Sequence, residues 1–82
     1  MRSPRRTLEA IERLDFMLEM LRDLSLFPGA RHDVTAIQYE VELLLDAFEY
    51  RLWQVARRAH LRRIELLESW LHRLDVYYRP LG

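Results

Sequence analysis

Residues 33–78 read DVTAIQYEVELLLDAFEYRLWQVARRAHLRRIELLESWLHRLDVYY, a run of 46 positions with neither proline nor glycine. With nothing to break it, the run reads as helix throughout. Its apolar positions do not keep one face. Val34, Ile37, Val41, Leu44, Leu45, Phe48, Leu52, Val55 and Ala59 draw one stripe, and His60, Ile64, Leu67, Leu71, Leu74 and Tyr78 draw another. At about 100° per residue the stripe centres lie roughly 115° apart. A left-handed coiled coil drifts by only about 20° per heptad, so the chain changes face here. Either the helix breaks between Ala56 and His60, or its halves meet different neighbours.

A second stripe crosses the first half: Ala36, Tyr39, Leu43, Ala47 and Tyr50, nearly opposite Val41 and Phe48. A helix apolar on two sides is central in a bundle. Taken as one helix, residues 33–78 would be roughly 69 Å long at about 1.5 Å per residue. The helix before it reaches only halfway. The reading this favours is an all-α helical hairpin, with a short first helix over about 7–27, a turn at 28–32 and a long second helix over 33–78. Two copies then pair into a four-helix bundle. The alternative is a monomeric three-helix bundle with the break between Ala56 and His60.

Upstream, Ala10, Ile11, Leu14, Met17, Leu18, Leu21 and Leu24 repeat at three and four, the stripe of an amphipathic helix. Thr7 is its candidate N-cap and Ser3-Pro4 an earlier start. Pro28-Gly29 ends it. Asp33 or Thr35 caps the second helix, Thr35 with Gln38 forming a capping box.

The 82 residues make a single domain, 1–82, too short to bury a large core. Such chains lean on disulfides, metals or partner subunits, and without cysteine the first of these is excluded. Thirteen arginines balance thirteen carboxylates, and there is no lysine. Arginine stays charged when buried and suits interfaces. The balance is uneven along the chain. Residues 31–50 hold one arginine against five carboxylates, net −4, and residues 51–82 hold seven against three, net +4. An antiparallel pair of second helices sets −4 against +4, which favours an antiparallel homodimer. No apolar run approaches the roughly 20 residues of a membrane span, and the first residues lack a secretory pattern. A cytoplasmic protein without a membrane partner is expected.

Chemistry-bearing patterns are sparse. On a continuous helix Arg51, Arg58, Arg62 and Arg73 fall within about 60° of one another, a ridge able to meet phosphates. His60 has no carboxylate one turn away to orient it and reads as structural. Glu68 and His72, with Glu65 a turn earlier, offer one Glu-x-x-x-His pair, short of a dinuclear metal set. Ser25, Ser69, Thr7 and Thr35 sit in no nucleophile motif, and there is no Gly-rich phosphate loop. The expectation is a non-enzymatic protein without cofactor, acting by protein–protein interaction as a scaffold, adaptor or inhibitor. Tyr39, Leu43, Ala47 and Tyr50 are its candidate self-interface, and Trp53, Trp70 and Tyr77 its candidate outer interface. A nucleic-acid-associated regulator is the alternative, and a metal-binding or enzymatic bundle a distant third.

Overall fold

A computed structural model describes the backbone of residues 4–80 and the side chains of residues 7–80. Three helices carry the fold: α1, Pro4–Leu24; α2, Arg31–Glu49; and α3, Arg57–Tyr78. Short 3-10 turns, Pro28–Ala30 and Trp53–Ala56, precede α2 and α3. There is no strand among the described residues.

α1 starts at Pro4, where a proline loses nothing because a first-turn N–H has no helical partner. Thr7 therefore lies inside the helix, and Ser3 falls outside the described residues. After Leu24 the backbone tightens, with Leu26 N–H bonding Asp23 O and Phe27 N–H bonding Leu24 O, before Pro28 forces the corner. Gly29 leaves room for Tyr78, whose hydroxyl oxygen would lie 3.0 Å from a Cβ at this position. α2 begins at Arg31 with Ala30 as N-cap and no side-chain cap. Thr35 is already within the helix, so the Thr35–Gln38 capping box does not form, and Gln38 reaches Glu42 instead at 3.4 Å.

The long second helix is not continuous. α2 ends at Glu49, and the chain reverses through residues 50–56 without glycine or proline. The device is a Schellman turn. Leu52 N–H bonds Ala47 O at 2.8 Å, Arg51 N–H bonds Phe48 O at 3.2 Å, and Arg51 takes φ 59°. These two bonds satisfy carbonyls that the helix end orphans, and the left-handed residue lets the chain turn back. The longest dimension is accordingly 45 Å, too short for the roughly 69 Å of an unbroken 46-residue helix.

Trp53 locks the reversal. It is buried, stacked on Phe48 of α2 with ring centroids 3.9 Å apart, and on His60 of α3 at 4.9 Å. Arg13 of α1 meets Glu68 of α3, and Asp23 meets Arg79, so α1 and α3 run parallel. α2 runs antiparallel to both, its Glu40 beside Arg63. Most of the expected stripes become the core: Leu14, Met17, Leu21 and Leu24 from α1, Ile37 and Val41 from α2, Ile64 and Leu71 from α3. Leu52, Val55 and Ala59, the end of the first expected stripe, are instead exposed, because the reversal takes them off α2. The roughly 115° change of face is thus the change from one helix to the next.

Arg51 gives the break a test with a sign. A non-glycine residue in the left-handed region costs roughly 1–2 kcal/mol, and glycine's greater unfolded-state freedom offsets part of the relief. Arg51→Gly should therefore raise unfolding free energy by about 0.5–1 kcal/mol in urea melts. In an uninterrupted helix the same change would lower it by about 1 kcal/mol.

Candidate interaction surface

The three helices meet along three seams, and two of them differ sharply in chemistry. Between α1 and α3 the seam is ionic. Arg13 grips Glu68 through two bonds, 2.9 Å from Nε and 2.6 Å from Nη2. That hydrogen bond is the main cause that pushes the guanidinium further above its ordinary pKa. Arg79 joins Asp75 and Asp23 below it. Phe16, Met17, Met20 and Leu71 line a cleft of about 340 Å³ on this side, with Glu68 and His72 at its edge.

Between α2 and α3 one long ion pair, Glu40–Arg63 at 3.8 Å, marks the seam. Residues three and four positions from each partner share its side of the helix. On α2 these are Ala36, Ile37, Leu43 and Leu44; Ile37 and Leu44 turn into the core, which leaves Ala36 and Leu43 on the outer side, with the buried Ala47 a further turn on. On α3 they are Ala59, His60, Leu66 and Leu67; Leu67 turns into the core and His60 stacks on Trp53, which leaves Ala59 and Leu66 outside, with Trp70 a further turn on. Tyr39 flanks the α2 row and Tyr77 continues the α3 row, at about 100° per residue. The result is one apolar and aromatic face running along both helices. Leu43 is 47% exposed, Leu66 51%, Tyr39 62% and Tyr77 75%, while Trp70 is half-buried. Arg62 and Arg73 stand exposed beside the α3 row.

Leu43, flanked by Tyr39, lies on the α2 side of this face, and Trp70 and Tyr77 lie on the α3 row, with Tyr77 about 21 Å along α3 from Arg63, beyond the start of α2. Ala47 is buried beside the seam, and Tyr50 is exposed at the C-cap of α2. Trp53, assigned to the outer interface, is a core residue, because the reversal turns its indole inward. Arg51 leaves the ridge for the same reason: the ridge geometry assumed a helix that breaks at that residue. Arg58, Arg62 and Arg73 keep their common side of α3, but Arg73 is some 17–22 Å along the axis from the first two. Leu66 belongs to the face and was overlooked. Its signal is the spacing Leu66, Trp70, Arg73, Tyr77, legible only when α3 is phased as a helix of its own.

The other chemical candidates gain no site. His60 is half-buried and stacked on Trp53. Glu68 is engaged by Arg13 through both carboxylate oxygens. Among the described residues no group of three or more metal-type side chains converges. No described helix is long and apolar enough to cross a membrane.

The chain matches no protein-family model, no curated protein and no solved structure.

Adjacent leucines separate face from core. Leu43 is exposed, whereas Leu44 is 5% exposed within the core. Leu44→Ala should cost about 2–5 kcal/mol through lost burial and a cavity. Leu43→Ala should stay within about 0.5 kcal/mol in the isolated chain, measured by urea unfolding at high dilution.

Proposed function

We propose that this protein is a helical interaction module whose working surface is the α2/α3 face. The observation that carries the reading is a completed core beneath an uncompleted surface. Every helix already buries an apolar stripe, and no buried side-chain polar atom lacks a partner among the described residues. Tyr39, Leu43, Leu66 and Tyr77 contribute nothing to that core, yet they align along one seam. Contiguous apolar patches on small proteins mark binding sites more often than chance exposure does. Tyrosine and tryptophan at such a patch bury area at low entropic cost while keeping a polar tip.

The first partner is a second copy, in an antiparallel homodimer. A two-fold pairing across this face sets α2 and α3 of each copy around a shared apolar layer, a four-helix arrangement built from two three-helix chains. A two-fold interface needs one self-complementary patch, and this face supplies tyrosine, leucine and tryptophan in rows from both helices. What the dimer does in turn is act on a larger protein, as scaffold, adaptor or inhibitor. No catalytic role is assigned.

Light scattering after size exclusion tests the pairing. The mass should approach twice the chain's 10.0 kDa. Leu43→Glu and Leu66→Glu, each present twice in the dimer, should weaken association by more than about 100-fold, or about 3 kcal/mol. A wild-type mass that stays at 10.0 kDa at every concentration, and that neither change alters, rejects self-association through this face.

A further inference from the structure

Residues 51–63 hold five arginines and not one carboxylate. Arg63 is engaged by Glu40. Arg51, Arg57, Arg58 and Arg62 form no ion pair among the described residues, and all but the half-buried Arg57 are exposed. The fold gathers these four at one end of the bundle. Arg57 and Arg58 open α3, Arg62 follows Arg58 by one turn, and Arg51 sits in the reversal immediately before them. Arg51 lines a hollow with Gln54 and Thr7, which places the reversal against the first turns of α1.

Arg51 is the informative member. Its position takes φ 59°, the left-handed conformation for which glycine is the unstrained choice. An arginine here is held in a disfavoured backbone state, and its guanidinium neither caps a helix nor pairs with an acid among the described residues. Strain kept at one residue of an unpaired cationic cluster points to a use for that charge outside the chain.

We infer that this arginine-rich end binds the phosphate backbone of a nucleic acid, with Arg51, Arg57, Arg58 and Arg62 as the contacts. The inference is independent of the α2/α3 face. Guanidinium groups suit phosphate oxygens because the planar fork donates two parallel hydrogen bonds. Arg58 and Arg62 stand about 6 Å apart along the axis, so they form a line of charge that a phosphate backbone can follow. Arg73 lies beyond its reach. The recognition is of charge and not of sequence, because no side chain of the cluster is arranged to read a base edge.

Fluorescence anisotropy with a random-sequence 20-base-pair duplex, between 50 and 200 mM salt, tests it. Four phosphate contacts give a slope of log affinity against log salt near −3.6, about −0.9 per contact. Arg51→Gly and Arg58→Ala should each flatten that slope by about 0.9, and Arg73→Ala should leave it unchanged. Arg51→Gly should also melt about 2–8 °C higher, so its lost affinity is not lost folding. Leu52 and Val55, exposed between the arginines, are the control for other surfaces. Leu52→Ser and Val55→Ser should not change duplex binding. Three results each overturn the inference: no salt-dependent duplex binding, one slope shared by every arginine variant, or binding to phosphatidylserine-containing vesicles that exceeds duplex binding and disappears with Leu52→Ser.

Discussion

The reversal at residues 50–56 is the constraint on which the rest of the molecule depends. Two backbone bonds close it, and one tryptophan holds it. Trp53 lies between Phe48 and His60, so a single side chain ties the end of α2 to the start of α3. Each aromatic stack adds about 0.5–1.5 kcal/mol beyond the burial itself. Were the chain to continue as helix past Glu49, the stripe from Ile64 to Leu74 would face away from α1 with no neighbour to cover it. The turn brings that stripe onto α1 and α2, and with it come four of the fifteen buried core residues.

Folding back also redistributes the charge. The acidic residues 31–50 and the basic residues 51–82 oppose each other as antiparallel neighbours within one chain. The complementarity that suggested a dimer from the sequence also acts inside the monomer fold, where Glu40–Arg63 is its one ion pair among the described residues. This removes one support from the homodimer and leaves the other intact. Of the stripe that includes Tyr39 and Leu43, Ala47 is covered by its own chain, while Tyr39, Leu43 and Tyr50 remain exposed. The proposal of self-association thus rests on apolar surface alone. That is the more reliable ground, since half-exposed ion pairs stabilise little.

Much of the architecture was legible in the residues. The corner at Pro28-Gly29, the α1 stripe, the stripe from Ile64 to Leu74 and the part of the other stripe from Val34 to Leu44 are read directly from spacing and map onto buried residues, whereas Leu52, Val55 and Ala59 are exposed. The change of face was visible too, and so was a three-helix alternative. The position and nature of the break were not. A Schellman turn announces itself by glycine at its left-handed position, and here that position is Arg51. Trp53 was misplaced and Arg51 counted onto the ridge for the same cause, since every angle beyond residue 50 was measured on an unbroken helix. The Thr35–Gln38 capping box failed for a different reason: the 3-10 turn after Pro28 starts α2 four residues earlier. Leu66 needed the correct phase of α3 before its row became apparent.

The seams on the two sides of α3 show where a partner would add most. Toward α1, α3 is held by the Arg13–Glu68 fork and by Arg79 reaching Asp23, polar links that tolerate water at their edges. Toward α2 it has one long ion pair and a flank of leucine and aromatic rings left in solvent. Covering that flank would remove apolar area from water at about 25 cal/mol per Å². Any ligand that binds only the folded chain shifts the folding equilibrium in proportion to its occupancy. A small domain with a marginal core gains most from such coupling. Placing the uncovered apolar rows along the less firmly clamped seam makes the same contact that recruits a partner the one that secures α2 against α3.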